Sequence, residues 1–498
     1  MNDKRRLTDS PALALALSTL TAGALATGGL ACSLIVERRG EQCNADADCA
    51  RFDGAICDVA ERVCVPASSG PGGGGVTPAD CAATDKPIAE IAGDITEDFT
   101  LRCGLDYLLE GQVNVTAGAT LTVEKGTTIR GDINPQAPAV LVVHPGSKLI
   151  AVGTKDEPIV FTSGKAPEDR RPGDWGGVIL LGNARINHVD GEGNHVPGQI
   201  EGLTNGGQYG GINDNDSSGT LKYVRIEYSG VKIAPNNEIN GLTLGGVGRG
   251  TIIDFVQVRH VSDDCFEFFG GTVNAKHLAC QYSGDDAFDW DYGYRGKLQF
   301  LVAQQDPGVA EETNGFEGDN DPLALTPAPE PRSEPTIYNA TLCGKGVDLD
   351  KEQYGILLRR STRATIVNTI VTGFESGLDV RDQETVPNVS SSIFSNLVND
   401  FAFAEVSDGT GSLADDDGGF DEIELLSDPD RKNRAVDPGI QGCFDPSAPV
   451  FGPVKSLTEN AATPTGDFFD PDAAFVGAFR DADDTWATSG KWAVWSAN

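Results

Sequence analysis

Along most of the chain apolar and polar residues alternate in runs too short for helices. "VNVTAGATLTVEKGTTIRGD" (113–132), "AVLVVHPGSKLIAVGTKDEPIVFTS" (139–163) and "GDWGGVILLGNARI" (173–186) each read as short strands cut at Gly or Asn. There is little of the Ala/Leu/Glu/Lys periodicity that long helices need, so helix is predicted to be scarce. Further on a unit recurs: "LKYVRIEYSG", "IDFVQVRHVSDD", "AKHLACQYSGDD", "LQFLVAQQD", "TIYNATLCG" and "ATIVNTIVTGF". Its period is 22 residues from Asp263 to Asp285 and from Val256 to Leu278, and loosens to 28 from Asp289 to Glu317. A repeat of that length made of strand and turn predicts a solenoid rather than a sandwich.

Length and charge narrow the picture. A chain of 498 residues could be two or three ordinary domains or one extended repeat, and 61 glycines among short strands favour the repeat. A formal charge of −36 argues against a nucleic-acid binder, which must bring cations to phosphates. It fits cation binding or solubility in a salty exterior, and most of the 74 acidic residues are expected on a solvated surface.

The N-terminal region has its own character. "MNDKRR" is a basic start and "PALALALSTLTAGALATGGLA" an apolar stretch of small residues ending at "GLACS". This resembles a bacterial lipoprotein signal over residues 1–31, which implies a lipid on Cys32 and an exported protein held at the outer membrane or cell surface. Gly29 departs from the Leu or Val usual in such signals, and cleavage after Ala24-Leu25-Ala26 or an uncleaved anchor are the alternatives. No other apolar run approaches the roughly 20 residues that span a bilayer, so the lipid is the only membrane contact expected. Setting Cys32 aside leaves ten of eleven cysteines, an even number suited to disulfides in an oxidising compartment. Residues 32–66 hold Cys43, Cys49, Cys57 and Cys64 with almost no apolar residues, so disulfides must hold the module together, with Cys43–Cys57 and Cys49–Cys64 as one pairing. Zinc is the competing reading, without a nearby His to support it. The "DADC" stretch resembles short Cys-rich modules of bacterial surface lipoproteins. A Gly/Pro/Ser linker follows at 67–79, then the solenoid at 80–440 and a C-terminal cap at 441–498.

"GATLTVEKGTTIRG" followed by "GSKLIAVGTKDEPIVFTS" resembles the opening rungs of right-handed parallel β-helix proteins, the fold of pectate lyases and polygalacturonases. "GDWGGVILLG", "DDCFEFFGGTVNAKH" and "DDAFDWDYGYRGKLQF" resemble a group of secreted bacterial β-helix lipoproteins. The likeness spans roughly residues 110–480 and implies an all-β fold without naming an activity. "AVDPGIQGCFDPSAPVFGPVKSL" is similar to a closing rung, and "FFDPDAAFVGAFRDADDTWATSGKWAVW" supplies aromatics to cover the unpaired edge of the last coil.

The candidate chemistry lies in "SDDCFEFFGG" (262–271) and "GDDAFDWDYG" (284–293), which repeat the same order of acids and aromatics. In a parallel β-helix, residues one period apart sit on adjacent coils about 4.8 Å from each other. Asp263 should then stack on Asp285, Asp264 on Asp286 and Glu267 on Asp289, with Glu317 and Asp319 extending the line. If Phe266, Phe268, Phe288 and Trp290 face the core, alternation turns Glu267, Asp289 and Asp291 outward. Two carboxylates at that spacing repel by roughly 3–4 kcal/mol at an effective dielectric near 20. A bridging cation, a shared proton or splay into water must relieve this, and calcium suits the donors. The metal ligands predicted are Asp263, Asp285, Glu267, Asp289, Asp291, Glu317 and Asp319; no organic cofactor is expected.

Catalysis is the rival reading. "SDDC" and "GDDA" resemble the Asp-Asp pair of polygalacturonases, with Asp264, Asp286, Glu267 and Asp289 as the acids, although no Gly-His-Gly occurs and "RIE" at 225–227 stands where Arg-x-Lys would be sought. A lyase would draw its base from Arg259, Arg295, Lys297 or Arg359, of which Arg295 is placed with the catalytic set; such arginines more often serve as ion-pair partners. Trp175, Tyr292 and Tyr294 are candidates for stacking on a sugar. "GGVGRG" (245–250) precedes a strand and is no dinucleotide site, and the five histidines are scattered. Among the remaining cysteines, Cys81–Cys103 and Cys343–Cys443 are guessed as pairs, while alternation puts Cys265 and Cys280 on opposite faces. The first functional expectation is an acidic, calcium-stabilised face for adhesion or glycan binding. The second is a polysaccharide lyase or glycoside hydrolase.

Overall fold

The computed structural model describes strands Ala55–Asp58 and Val63–Pro66, then residues 81–496 apart from 82, 84, 204–205, 235–236, 310–312, 348–352 and 403–419. The signal segment, Cys32, Cys43, Cys49 and most of the linker therefore lie outside the described residues. Of Cys57 and Cys64 only the backbone is described, as facing positions of an antiparallel strand pair. The expected lipidation and the pairings within the Cys-rich module fall outside the description.

A single sheet of 25 strands winds through the chain from Ile88 to Ala435 as a parallel β-helix. On one face the strands stack in the order Val140–Val143, Val178–Leu181, Leu242–Gly245, Phe266–Phe269, Phe288–Asp291, Phe316–Gly318, Tyr354–Leu358 and Ser376–Val380. On the opposite side longer strands stack from Gly219–Glu227 through Ile252–Arg259, Asn274–Gln281 and Lys297–Gln304 to Thr336–Cys343. Each parallel strand is buried on its inner side, where one continuous apolar cluster fills the coil. Phe266 stacks on Phe288 with ring centroids 5.3 Å apart, and Phe288 meets Phe316 at 5.6 Å.

The long strands turn a corner in their middle. Gly219–Lys222 continue the pairing of Leu149–Val152, and Val224–Ile226 that of Ile159–Phe161, so Tyr223 is the hinge between two faces. Tyr223, Phe255, His277, Phe300, Asn339 and Asn368 all take this corner in the left-handed region, at φ of 53°, 56°, 51°, 62°, 59° and 56°. That backbone costs about 1–2 kcal/mol per residue for side chains with a Cβ. Ring stacking along the corner offsets part of it, with centroids 4.6 Å apart for Tyr223–Phe255, 4.1 Å for Phe255–His277 and 4.9 Å for His277–Phe300.

The C-terminal aromatics do form a cluster, but not over the last coil. From Cys443, disulfide-bonded to Cys343, the segment runs back along the flank. Asn339 Nδ2 donates to the carbonyls of Ala473 and Phe475, Gln257 Nε2 to that of Val494, and Lys491 N–H to that of Lys155. Trp486 and Trp492 cover the ring stack, edge-on to Phe255 at 6.5 and 5.6 Å. The end of the coil is instead plugged by the helix Glu422–Ser427, whose Leu426 is fully buried in the main core with Phe420 and Leu425 against it. The physical reason is that the polar upper face of the long strands, rich in Gln and Asn, offers the C-terminal backbone hydrogen bonds over many coils.

Cys265 and Cys280 are joined, against the expectation from alternation, with Cα atoms 5.8 Å apart. Alternation carries no information across a corner. Gly270 and Gly271, at φ of 69° and 83°, turn the chain between the two strands, and both cysteines then point into the coil with no exposure. Cys81–Cys103 also forms.

Candidate acidic site

The shorter face carries the acids. Pairing aligns Thr243 with Glu267, Glu267 with Asp289 and Asp289 with Glu317, so the predicted ladder is present at offsets of 22 and 28 residues. Phe266, Phe268, Phe288, Trp290 and Phe316 point inward on the same strands, which forces the acids outward. Outward is not into open water. The excursion through Gly198–Gln199 and Gln208–Tyr209, with the hairpin Lys232–Ala234/Asn237–Glu238, carries Ile186, Ile200, Tyr209 and Ile239 onto the outer surface formed by Val140, Val142, Ile179 and Leu181, with Phe269 beside them. This outer apolar layer brings Glu201 and Glu238 against the ladder; burial and then Glu238 push the Glu201 carboxyl up to about 6. Asp264, Glu267 and Asp291 are accordingly buried.

A second line of side chains runs beside the first, at the turn preceding each strand. Asn240 Oδ1 accepts from Asp264 N–H at 3.2 Å, and Asp264 Oδ1 from Asp286 N–H at 2.8 Å. Asp286 Oδ1 then accepts from Asn314 N–H at 2.6 Å, and Asn314 Oδ1 from Tyr354 N–H at 3.0 Å. Each side-chain oxygen thus caps a backbone donor one coil on, with amides at the two outer rungs and carboxyls at the two inner ones. Asn240 also donates through Nδ2 to Glu267 Oε2, tying the two lines together.

The acids converge in two overlapping groups. One oxygen from each of Asp264, Glu267 and Asp289 lies within 4.8 Å of the others, and the same holds for Asp264, Asp285 and Asp286. Burial, reinforced by Asp289 and Asp285, pushes the Asp264 carboxyl well above the usual carboxylate range. Burial and then Asp289 do the same to Glu267, burial and then Glu317 to Asp286 and to Asp289, and burial and then Asp289 to Asp291. Asp263 rises to about 8 by burial and the charge of Asp285, its neighbour on the next coil. Asp289 Oδ1 and Asp291 Oδ1 are inaccessible and have no hydrogen-bond partner.

At the far end the ladder is answered by arginine. Arg359 Nη2 donates to Glu317 Oε1, and Arg359 Nε and Nη2 donate to the two oxygens of Asp319 at 3.0 Å each; Arg360 Nη1 adds a further bond to Asp319. Although burial alone would lower it, the Arg359 pKa is raised by Asp319 and Glu317, so the guanidinium is held as a cation. Glu317 and Asp319, expected as metal ligands, are ion-paired here.

Several candidates are placed elsewhere. Arg295, put with the catalytic set, is turned toward Asp214, 3.5 Å away, on the loop at 213–216, because its strand begins beyond the corner at Gly293. Arg259 is buried against Glu227 on the flank, and Lys297 faces the Phe469 ring at 5.8 Å; only Arg359 of the four borders the acids. Trp175 is fully buried with Nε1 donating to the Glu227 carbonyl, and Tyr294 is fully buried with its hydroxyl on the Val273 carbonyl, so neither has a face for a sugar. Tyr292 alone of the three remains half-buried, edge-on to His188 at 5.5 Å. Asn240, Asn314, Glu201 and Glu238 escaped sequence reasoning. The first two stand 24 residues before Asp264 and 28 after Asp286, so the repeat itself could have found them. The glutamates arrive from outside the repeat, with no periodic signal.

A family model described as a pectate-lyase-like β-helix domain matches residues 93–421. No curated protein and no solved structure matches.

Proposed function

The chain belongs to the pectate-lyase-like β-helix family, and from that premise we propose that it is a surface protein whose acidic face holds calcium and binds a glycan through it. The family fits a role with carbohydrate at a coarse level; the calcium and the adhesive rather than catalytic use of the face are this reading's own. The observation that carries it is the convergence of Asp264, Glu267 and Asp289, three carboxylates with one oxygen each within 4.8 Å of one another on adjacent coils. Hard oxygen donors in a flexible cluster suit calcium, whose remaining positions can be filled by sugar hydroxyls or carboxylates. Tethering through Cys32 would present this face outside the cell.

Binding is favoured over cleavage by Arg359. A lyase needs a base near its metal, and both arginines bordering the acids, Arg359 and Arg360, are ion-paired to Glu317 or Asp319, with Arg359 held protonated by them. Asp264 and Asp286, the acids a hydrolase would use, each commit one oxygen to a backbone N–H of the next coil. The test is affinity electrophoresis of the full chain through gels containing acidic polysaccharides, with calcium or with EDTA, beside reducing-sugar and unsaturated-product assays. Calcium-dependent retardation without product, lost in Asp289→Asn, supports the proposal. Product formation abolished by Asp264→Ala would replace it with the enzymatic reading, and retardation indifferent to EDTA would remove calcium from it.

A further inference from the structure

The two ends of the coil are finished differently. At the C-terminal end the helix Glu422–Ser427 puts Leu426 into the core. At the N-terminal end the first coil is made by Ile88–Ile95 and Phe99–Leu101. Among the described residues each pairs with a strand on one side only, the first with Asp106–Val115 and the second with Thr120–Val123. Register shows what this leaves uncovered. Ala89, Ile91 and Ile95 stack on the buried Tyr107, Leu109 and Val115, and Phe99 on the buried Leu121, so all four are inward positions. Yet Ala89, Ile95 and Phe99, with Leu105, are only partly buried against the main core. The apolar filling of the coil thus ends at a row of strand edge, an arrangement that accepts a further strand.

Independently of the calcium reading, we propose that the hairpin Ala55–Asp58/Val63–Pro66 of the same chain docks on this open coil and lays one of its strands along Ile88–Ile95. The hairpin needs such a surface. Two antiparallel strands of four residues are marginal in water without a third strand or a packed face. Their segments, AICD and VCVP, are apolar apart from Asp58, while the rest of the Cys-rich module supplies almost nothing to cover them. Disulfides can fix the pairing within the module, but they bury little apolar surface. Docked, the hairpin gains its third strand and the coil loses its open edge.

The tether brings the two together. Cys81 is bonded to Cys103, which stands two residues beyond Leu101, so the chain enters the solenoid at its first coil. Between Pro66 and Cys81 lie 14 residues rich in Gly, Pro and Ser. A flexible segment of that length has a root-mean-square span of about 20 Å. It holds the hairpin near the edge at a local concentration on the order of millimolar.

Charge disfavours the competing occupant. A second copy meeting the same edge would bring a formal charge of −36 against −36, whereas the hairpin is already attached. The family match begins at residue 93, inside the first strand, so the hairpin lies outside the region that the family shares. A cap built from it is a device of this chain.

Hydrogen exchange of the full chain at micromolar concentration, read by mass spectrometry, tests this. In the wild-type protein the backbone of Ile88–Ile95 should exchange as slowly as that of Asp106–Val115. Val65→Pro removes a strand N–H from the hairpin and should speed exchange at Ile88–Ile95 by about tenfold or more. Continued protection of Ile252–Arg259 in that variant shows that the coil is folded. A protease site in place of residues 72–75 repeats the test with the hairpin unaltered, because cutting the linker and removing the released module should speed exchange at Ile88–Ile95 by a similar factor. Fast exchange at Ile88–Ile95 in the folded, uncut wild type would overturn the docking. Protection that survives both the proline and the cut in a monomeric coil would overturn it too. Protection of the uncut wild type that is lost on dilution would give the edge to a second copy instead.

Discussion

Two clusters of buried charge in the molecule are solved in opposite ways. On the flank, Glu227 is 5% exposed and surrounded by cations: Arg225 Nε at 2.6 Å, Arg259 Nη1 at 3.4 Å and Arg170 Nη1 at 4.0 Å, with Thr162 Oγ1 donating at 3.0 Å. Burial pushes its carboxyl up, but Arg225 and Arg259 outweigh burial, and the net shift is downward. Arg259 in turn donates to the Ser496 carbonyl, so this cluster pins the C-terminal segment. On the acidic face the shifts of Asp264, Glu267, Asp286, Asp289 and Asp291 are all upward, because burial and like charges act together. Charge that the chain satisfies itself is architecture. Charge that it buries among like charges, as on the acidic face, is what the proposed cation would neutralise.

Substitutions should respond accordingly, and the largest effect belongs to the flank. Glu227→Gln leaves the buried Arg259 and the half-buried Arg225 without their anion and should cost about 3–5 kcal/mol by chemical denaturation, equally in calcium and in EDTA. Because the folded pKa of Glu227 is lowered, its contribution is present above the unfolded carboxyl value and is lost as pH falls through the folded one. The wild-type advantage over Glu227→Gln should therefore shrink in acid.

Metal removal comes next and touches only the acidic face. Calcium at 100 times its dissociation constant should stabilise by about 2.7 kcal/mol for one site, seen as a thermal midpoint that falls in EDTA. The sign with pH is opposite to that of Glu227. Carboxyls whose folded pKa is raised contribute fully below their unfolded value and lose that contribution as pH rises through the folded one, which for Asp263 is about 8. In EDTA the protein should thus weaken between about pH 4 and pH 8, and calcium should flatten the decline. A smaller effect, with unusual direction, is expected from Asp289→Asn. Removing a charge from repelling neighbours should stabilise the EDTA form by about 1–2 kcal/mol while abolishing the response to calcium. If this variant instead loses stability in EDTA, the contrast between the two clusters fails. The smallest effect should follow Arg363→Ala, whose partner Glu334 is as exposed as itself, at about 1 kcal/mol or less.

Much of this was legible in the repeat. The 22-residue interval predicted the pairing of Glu267 with Asp289 and of Val256 with Leu278, and the 28-residue interval that of Asp289 with Glu317. Period carries register because a parallel coil places equivalent positions on top of one another. What period could not carry is what happens at corners and outside the coil. Cys265 and Cys280 pair because a glycine corner resets the alternation between them. Glu201 and Glu238 reach the acids on excursions that leave the repeat, and their arrival changes a solvated face into a roofed one. The aromatics near the C-terminus were visible as a covering, but the surface they cover was set by polar side chains such as Gln257 and Asn339. Asn240 and Asn314 were hidden by chemistry: an amide among acids attracts no notice until the shared backbone bond shows that it fills the same rung.

The most direct test of the central claim is anomalous diffraction from crystals of the full chain grown with calcium. The account predicts anomalous density among Asp264, Glu267 and Asp289, with carboxylate oxygens at about 2.3–2.6 Å from the peak. Carboxylates splayed apart into ordered water, with no anomalous signal between them, would contradict it.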